Sequence, residues 1–463
     1  MPIGDLGPEL AVLLAAIAAL LLAMVLPQHR HGWCAMLAVA GLAVAAGLAH
    51  GQADESRLTF SGTFALDRAT AWARLLILGL TALCIGLAPR WFATDRRHGE
   101  VYAIFLFSAL GAMAMAGAAD LMQLVVGVLL SSVTGYVLAA YHRDWPISLE
   151  AGMKYFLVGA LANALLVIGV VLVMGMAGST AYAELSGRIP EAPLALTGVA
   201  LILTGLFFKM GAVPAHAWVP DVAEGAPVPA AAFLTVVPKI AAAVALYRVV
   251  ALAPGIEALS LLIAIIAAMT MTVGNLSALW QDDVRRLLGW SSVSQAGYAL
   301  MAVAVAGRAP QALPALIAFM AVYGVANVAA FAAIAQLRGR TAISDYSGLI
   351  GTQPGPVVAL TVAFLSFVGI PPLAGFLGKL ALFTVTLDAG LGWLVVIAVA
   401  NTVLSLFYYL RIVAPAVFGA SGAQVATLNG SARVTVCLSL VLLLAATVFW
   451  APLWSSLPGV LLP

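Results

Sequence analysis

The stretch LFFKMGAVPAHAW, residues 206–218, places a lysine and a proline within an otherwise apolar run. A second stretch, FVGIPPLAGFLGK at residues 367–379, combines the same features. Because a proline inside a helix removes a backbone hydrogen bond and clashes with the preceding turn, we expect breaks at Pro214 and at Pro371-Pro372. The two stretches therefore predict two discontinuous helices.

The composition around these stretches is that of an integral membrane protein. Of the 463 residues, 63% are hydrophobic and only 9% are charged. A membrane-spanning helix needs about 20 apolar residues, and the chain contains roughly fourteen such runs separated by short polar breaks. The runs are continuously apolar and lack the alternation of barrel strands. We expect an all-α polytopic membrane protein with about 14 transmembrane helices.

The paired breaks also predict an internal duplication. Breaks at matching places in the two halves of a transporter mark repeats, with ion sites beside the freed backbone groups. We expect three N-terminal helices in residues 1–99, a first five-helix repeat in 100–253, a second in 257–418 and a final helix in 419–463. The alternative is that each proline is an ordinary kink of a membrane helix.

The arginines predict the orientation of the chain in the membrane. Successive loops assign most of them to one side: Arg30, Arg90, Arg96, Arg97, Arg143, Arg285, Arg286, Arg338, Arg340, Arg411 and Arg433. The other side receives Arg57, Arg68, Arg188 and Arg308. The positive-inside rule then places both termini outside, in the periplasm if the membrane is a bacterial inner membrane. The first apolar run has no basic cluster before it and no cleavage site, so we expect a retained helix.

Several kinds of site are excluded or not supported. Cys34, Cys84 and Cys437 stand alone, without a C-x-x-C pair, and are expected to be core residues. No Walker loop is present, nor a G-x-G-x-x-G motif after a strand pattern. We expect no metal, nucleotide or other cofactor in this chain, and no nucleic acid partner. Five histidines are predicted to be solvated in loops: His29, His31, His50, His98 and His142.

Lysines are the strongest candidates for function. The chain has four, Lys154, Lys209, Lys239 and Lys379, and all lie in or beside apolar segments. A charge within a membrane is costly and marks a functional site by default. An ammonium that loses its hydration can release its proton near neutral pH. Lys239 has no acid within one helical turn, whereas Lys154 follows Glu150 and could instead extend its amine to the interface.

Other polar residues have weaker claims. Tyr298, with Tyr323 and Asn327, could line a water path, although single polar groups in membrane helices are often just hydrogen-bonded across helices. Glu224 and Asp221 follow the first break and could influence Lys239 electrostatically. A charged cluster precedes the tenth expected helix, and we interpret it as a solvated turn: Asp282, Asp283, Arg285 and Arg286.

Long segments of the chain carry a family resemblance. They are GLFFKMGAVPAHAWVPDVAEGAPVPAAAFLTVVPKIA (205–241), GNLSALWQDDVRRLLGWSSVSQAGY (274–298), DYSGL (345–349) and LSFVGIPPLAGFLGK (365–379). In this order they resemble the antiporter-like membrane subunits of respiratory complex I. SLEAGMKYFLVGALANALLVIG (148–169) and NTVLSLFYYLRIV (401–413) resemble most the subunit N type of bacterial NADH-quinone oxidoreductase.

The resemblance implies about fourteen helices with two inverted five-helix repeats. It also implies that buried lysines and waters move protons, coupled to quinone reduction elsewhere in a complex. NADH, FMN, iron–sulfur clusters and quinone would then belong to other subunits. The expected partners are the other membrane and hydrophilic subunits, within the lipid bilayer of the inner membrane. Alternatives are a related Na⁺/H⁺ antiporter, a membrane-bound hydrogenase assembly, or a structural subunit that does not pump.

The resemblance assigns roles to individual residues. Lys209 matches the lysine of the first broken helix, Lys239 the central lysine, and Lys379 the lysine of the second broken helix near the outward exit. His216 matches a histidine between the first two lysines, and its alternative role is a hydrogen-bonded cap at the break. Lys154 matches a basic residue of the neighbouring helix.

Two positions depart from the family pattern. The family has a glutamate in its fifth helix that pairs with the first broken-helix lysine, and the matching position in VVGVLLSSVTGY is Leu129. Gln295, in SSVSQAGY, stands where the family often has a histidine. The first half of the implied proton path is therefore altered, while Lys239 and Lys379 retain the pattern.

Overall fold

The computed structural model is almost entirely helical. It describes residues 2–95, 98–187, 189, 192–420, 430–457, 459 and 461–462. Arg96, Arg97 and Arg188, which entered the orientation argument, lie outside the described residues. A single hairpin of β1 (Arg57–Thr59) and β2 (Phe64–Leu66) interrupts the helices of the described chain, and the sequence did not predict it.

The described residues up to Ala251 contain eleven α-helices. They are α1 (Gly7–Val25), α2 (Gly32–Gly51), α3 (Arg68–Trp91), α4 (Glu100–Ala116), α5 (Leu121–Ala139), α6 (Pro146–Ala177), α7 (Tyr182–Leu185), α8 (Pro193–Met210), α9 (Trp218–Gly225), α10 (Val228–Leu234) and α11 (Val237–Ala251).

The second half contains α12 (Glu257–Leu279), α13 (Val284–Ala304), α14 (Ala312–Gln336), α15 (Pro354–Val368), α16 (Ala374–Asp388), α17 (Gly392–Phe418), α18 (Ser431–Val448) and α19 (Trp450–Ser456). Short 3-10 helices span Ile3–Leu6, Gln28–Arg30, Ile343–Tyr346 and Leu349–Gly351.

Eleven described helical segments are long and apolar enough to cross a membrane, or twelve if the bent pair Ile343–Gly351 and Pro354–Val368 forms one span. α4 has 17 residues and α16 has 15, so both are shorter than the about 20 residues that a straight membrane-spanning helix needs. The 21-residue α13 is long enough but too polar. The multi-pass helical class is confirmed, while the count of about 14 stays a prediction.

Both predicted breaks are present. α8 ends at Met210 and α9 begins at Trp218, so Pro214 lies between them. α15 ends at Val368 and α16 begins at Ala374, with both other prolines in the gap. In each broken helix, the first segment ends at a glycine in the left-handed conformation. Glycine is favoured in this conformation because it has no Cβ. These residues are Gly211, with φ of 67°, and Gly369, with φ of 84°.

A third interruption was not predicted. The apolar run that contains Lys239 divides into α10 and α11 at Thr235 and Val236, and Pro238 occupies the first turn of α11. A proline is readily accommodated there because its missing N–H would be unpaired in any helix. Lys239 therefore lies in the first turn of a helix, directly after the interruption.

The molecule is built around α10, α11 and α14. Residues 228–250 are all buried inside the protein, and so are all but two residues of α14. The outer helices are much less covered, with one third of the spans in α1, α2 and α17 buried. A helix that is hydrophobic on all sides and buried needs a polar residue only where function or hydrogen bonding requires it. Lys239 lies within this innermost layer.

Two arginines that the sequence analysis left unassigned form buried ion pairs. Arg74 on α3 contacts Glu9 on α1 at 2.7 Å, and Arg248 on α11 contacts Asp67 at 2.8 Å. Asp67 also accepts a hydrogen bond from Thr70 N at the start of α3. The two ion pairs therefore connect α3 to α1 at the periphery and to α11 in the innermost layer.

Some predicted environments are wrong. His31 and His98 are buried rather than solvated, because His31 Nδ1 accepts from Gly99 N at 3.0 Å and His98 Nε2 lies 2.5 Å from Tyr102 Oη. Burial lowers the pKa of His98 to about 4. Cys437 is exposed and not a core residue, because it lies on the outward face of the peripheral α18.

Candidate functional site

The central lysine is enclosed by protein. Lys239 is only 1% exposed, and its Nζ donates to Ser292 O at 2.8 Å and to Ser292 Oγ at 2.6 Å. Ser292 lies on α13, so the contact joins the two helices at the centre of the bundle. Both partners are neutral oxygens. The lysine is thus held by hydrogen bonds and has no carboxylate among these contacts.

A hydroxyl network continues from this contact. Ser292 Oγ lies 2.7 Å from Tyr323 Oη, and Tyr323 Oη donates to Thr235 O at 3.2 Å. Asn327 Nδ2 donates to Thr235 Oγ1 at 2.8 Å. Hydroxyl groups both donate and accept, so the hydrogen bond between Ser292 Oγ and Tyr323 Oη can reverse its direction. The network spans α13, α14 and the α10–α11 interruption.

Only part of this network was predicted from the sequence. Tyr323 and Asn327 were predicted as polar groups of a water path, whereas Ser292 and Thr235 were not singled out. The run SSVS at 291–294 was a usable signal, since it concentrates hydroxyls in an apolar helix. Thr235 was hidden because its role depends on the unpredicted interruption between α10 and α11.

Lys209 occupies the last turn of α8 and is fully buried. Its hydrogen-bond partner is Ser131 Oγ on α5, at 3.5 Å. No ion pair among the described residues includes Lys209. Leu129, the position of the family's glutamate, is 39% exposed. It lies two residues before Ser131, so the two side chains point to different sides of α5.

Asp120, the nearest acid in sequence to Leu129 on α5, is already occupied. Its carboxylate accepts from Met122 N at 2.7 Å as the N-cap of α5. It also accepts from Thr180 Oγ1 at 2.7 Å. An N-cap carboxylate satisfies helix donors that have no other partner. Asp120 therefore does not replace the missing glutamate.

Lys379 lies against the end of the other broken helix. It is 3% exposed, and its Nζ donates to Val368 O at 3.3 Å, a carbonyl freed where α15 ends. The same Nζ lies 3.9 Å from the centre of the Tyr298 ring. An ammonium over an aromatic face is attracted by the negative charge of the ring face. Tyr298 itself donates to Ala398 O at 3.1 Å, on α17.

Gln295 also contacts the second break. Its Nε2 donates to Phe367 O at 3.2 Å, one residue before the carbonyl that Lys379 uses. The freed carbonyls of α15 are thus shared between a lysine and an amide on α13. Because a glutamine amide does not titrate, this position supplies a hydrogen bond without exchanging a proton.

His216 lies in the gap between α8 and α9, partly exposed, with its ring 5.6 Å from that of Trp290. Its Nδ1 is buried and has no hydrogen-bond partner among the described residues. The break is capped by other groups: Trp218 Nε1 donates to Phe208 O at 2.9 Å, and Thr270 Oγ1 accepts from Val213 N at 3.1 Å. His216 also interacts with the backbone of Pro214 within the break, so a cap at the break stays its alternative role.

Lys154 and Glu224 belong to a different group of charges. Lys154 contacts Glu150 at 2.7 Å and Asp221 at 3.1 Å, and its side chain is 45% exposed. Arg286 contacts both Asp221 and Glu224 at 2.7 Å. The ion pairs of Lys154 and Glu224 in the described chain do not include the buried lysines. Their geometry is that of a surface network, which fits the interfacial alternative for Lys154.

The interpretation of residues 282–286 as a solvated turn is wrong for Arg285. This side chain is buried, and it donates to Ala223 O at 3.0 Å and to Ala226 O. These carbonyls belong to the end of α9, where helix carbonyls have no intrahelical partner and attract a positive charge. Asp283 caps α13 by accepting from Arg286 N at 2.9 Å.

The described residues contain no group of three or more His, Cys, Asp or Glu side chains arranged to hold a metal. The arrangement that does exist consists of three buried amines, each at a helix interruption. Around them lie hydroxyls, amides and carbonyls. Such a set can exchange and store protons, because amines titrate while the surrounding groups remain neutral.

Comparison with known proteins places this arrangement in a family. Residues 118–405 match the profile described as NADH:quinone oxidoreductase/Mrp antiporter, TM. NADH-quinone oxidoreductase subunit N 1 of Streptomyces griseus is 44% identical over 419 residues, which are 89% of this chain and 88% of that protein. Subunit N of a Mycobacterium species is 41% identical, with 97% of both chains covered.

Solved structures agree. A chain of respiratory complex I from Thermus thermophilus is 32% identical with a TM-score of 0.84, covering 97% of this chain and 98% of that chain. A chain of the Mrp complex from Dietzia has a TM-score of 0.87 at 23% identity, covering 98% and 96% of the two chains, which shows a shared fold. The chain with its three buried lysines therefore belongs to the NADH:quinone oxidoreductase/Mrp antiporter membrane family.

Proposed function

We propose that this chain is the subunit N type membrane subunit of an NADH:quinone oxidoreductase and moves protons across the membrane. The observation that carries the proposal is the burial of Lys209, Lys239 and Lys379, at 0%, 1% and 3% exposure, each at a helix interruption. A buried amine without a carboxylate partner can change its charge state near neutral pH. Lysines placed only for structure would be paired or at the surface.

The proposed path begins at Lys209, passes His216 and Lys239, and ends at Lys379. Lys239 Nζ lies 3.3 Å from where a side chain on Gly211 would begin, so the central lysine touches the end of the helix that carries Lys209. The Ser292–Tyr323 pair supplies hydroxyls beyond Lys239. Waters would complete the steps between these groups, as in other polar paths through membrane proteins.

A proton fits this site better than a sodium ion. Sodium needs several oxygen ligands and is commonly bound with a carboxylate. The buried carboxylates of the described chain are Asp5, Glu9, Asp67 and Asp120, and each is engaged by an arginine or caps a helix. None of them forms an ion pair with a buried lysine among the described residues. The site therefore offers titratable amines and neutral oxygens, which suit proton transfer.

The proposal includes a complete architecture. α8 with α9, and α15 with α16, each count as one broken span, and α4 and α13 add two more, which gives about 14 spans. The two repeats would occupy residues 100–253 and 257–418, inverted with respect to each other, as the equivalent broken helices support. Both termini would lie in the periplasm, in a bacterial inner membrane.

The remaining chemistry is assigned to other subunits. NADH oxidation, FMN, iron–sulfur clusters and quinone reduction would lie outside this chain, which would respond to quinone reduction through conformational or electrostatic coupling. Sister membrane subunits and a hydrophilic arm are the proposed partners. Purification of a tagged copy from host membranes, followed by mass spectrometry, would identify these partners directly.

The test of function is a Lys239→Ala variant of the assembled complex in proteoliposomes. NADH oxidation and proton uptake are recorded together, with a pH-sensitive dye. We expect proton uptake per NADH to fall, because the central titratable group is gone. Lys154→Ala is the matched control, since its amine is half exposed and ion-paired, and it should retain most of the uptake. Undiminished uptake in Lys239→Ala would contradict the proposal.

A further inference from the structure

A long apolar groove opens on the side of the protein formed by α2, α3, α14 and α18. Its volume is about 730 Å³, and aliphatic side chains form most of its walls. Gly79 and Gly86 on α3 line it, and Ser431 and Leu442 on α18 mark its extent. The groove is unrelated to the lysines, which lie deeper, on α8, α11 and α16.

The length of the groove matches one leaflet of a bilayer. Ser431 and Leu442 are eleven residues apart on a helix, which corresponds to roughly 16 Å. Half of a hydrocarbon core of about 30 Å is about 15 Å. Gly79 leaves the floor open, because a Cβ built on it would meet nothing within 4 Å. The space therefore has the dimensions and the apolar lining for one extended acyl chain.

The end of the groove at Ser431 is polar and positively charged. α18 begins at Ser431, and no side chain caps its first turn among the described residues. Free N–H groups at a helix start attract anions. Arg90, at the end of α3, lies against this start, with its Nε 3.2 Å from where a side chain on Gly430 would begin. Arg433 adds a second positive charge in the same turn.

Two polar groups at this end of the groove have no partner among the described residues. Ser431 Oγ is buried, lines the groove and has no hydrogen-bond partner among the described residues. Arg90 is exposed and takes part in none of the ion pairs of the described chain. A phosphate oxygen could accept from both, since guanidinium groups and hydroxyls are regular phosphate donors.

We propose that the groove binds an anionic phospholipid, with one acyl chain along α3 and α18 and the phosphate at the start of α18 beside Arg90 and Ser431. The unpaired donors and the positive charge select a lipid with net negative charge over a zwitterionic one. This site is independent of the proposed proton path and does not require it. Its role would be to fix the peripheral α18 to α3, where Gly86 packs against Thr435.

The test uses the tagged chain purified together with its co-purifying subunits. After delipidation, the assembly is incubated with phosphatidylglycerol or phosphatidylcholine, and bound lipid is counted by native mass spectrometry. Gly79→Leu fills the groove, and Arg90→Gln removes the guanidinium. We expect each variant to bind phosphatidylglycerol roughly tenfold more weakly than wild type, because a charge-assisted contact or the acyl site is lost.

Matched controls separate this site from general lipid binding. Gly175→Leu adds the same side chain at another open position, on α6, and Arg30→Gln removes another exposed arginine. Both should bind lipid as wild type does, and all variants should elute as intact assemblies. The proposal would be overturned by equal binding of the two lipids, or by unchanged lipid binding in Gly79→Leu and Arg90→Gln. Displacement of the bound lipid by inorganic phosphate alone would also overturn it. The same holds for a crosslink showing that another subunit fills the groove.

Discussion

Lys239 Nζ lies 3.3 Å from the position that a Cβ on Gly211 would occupy. The glycine ends α8 in the left-handed conformation, and the lysine begins α11, so the two interruptions meet at one point. Gly369 repeats the relationship, because a Cβ there would lie 3.2 Å from Lys379 Cδ. In both broken helices, the residue that permits the break also leaves room for a lysine.

Gly211→Ala should therefore impair proton movement without removing any titratable group. The new methyl group would displace the lysine, would lie 2.5 Å from Val219 Cγ2, and would impose a conformation that costs about 1–2 kcal/mol for a residue with a side chain. We expect proton uptake per NADH to fall severalfold in proteoliposomes. Gly175→Ala, at an open position on α6, is the control, and native gels report whether the assembly survives.

Ser292→Ala tests the hydroxyl network. It removes the 2.6 Å contact of Lys239 with Ser292 Oγ but leaves the contact with Ser292 O. A hydrogen bond to a charged group contributes roughly 1.5–3 kcal/mol, so we expect proton uptake to slow roughly tenfold. Ser292→Thr retains a hydroxyl and should be much less affected. Equal rates in the Ala and Thr variants would show that the hydroxyl has no part in transfer.

Ser131→Asp tests whether Lys209 must be without an acid. The substitution would place a carboxylate beside an amine that now lies 3.5 Å from a hydroxyl. The opposite charge favours the ammonium form, so Lys209 should hold its proton and slow the pump. Leu129→Glu is the comparison, since that side chain points to another side of α5 and is 39% exposed. If both variants pump as wild type does, Lys209 has no role in the rate-limiting step.

The sequence was sufficient for the class, the two proline breaks and the three buried lysines, because each depends on local rules of hydropathy and backbone geometry. It was insufficient for the partners of those lysines. The roles of Ser292 and Ser131 depend on the packing of α11 against α13 and of α8 against α5, which the sequence does not show. The interruption before Lys239 was also missed, since Pro238 is compatible with a helix start as well as with a kink.

The partners of charged residues were also not predictable from the sequence. Arg248 and Arg74 lie in apolar runs and were not assigned to any loop, and only the packing of α3 reveals their carboxylate partners. Arg285 was assigned to a solvated turn because its neighbours are charged. Its burial follows from the carbonyls at the end of α9, which lie 59 to 62 residues earlier in the chain.

Asp67→Asn should destabilise the protein strongly. Arg248 is 2% exposed and donates to both oxygens of Asp67 at 2.8 Å, so the variant would leave a buried guanidinium without its counter-charge. Breaking a buried pair from one side costs roughly 3–5 kcal/mol. We expect a lower melting temperature and less assembled complex. The double variant Asp67→Asn/Arg248→Met should recover part of this loss, and no recovery would mean that the charge is not the cause.

Mild acid should also destabilise the protein through His98. Burial holds the pKa of this histidine at about 4, compared with 6.5 for an ordinary histidine. The unfolded chain therefore binds a proton more readily than the folded one, and stability falls as pH decreases from about 6.5 towards 4. His31, 5.9 Å away, lowers the pKa further, and Asp95 opposes the effect.

His98→Gln keeps a polar side chain near Tyr102 but cannot titrate. The difference in melting temperature between pH 7 and pH 5 should be smaller in this variant than in wild type, measured on detergent-solubilised protein. His50→Gln is the matched control, because His50 is exposed and its removal should leave the pH dependence unchanged. An identical pH dependence in His98→Gln and wild type would assign the acid sensitivity to other groups.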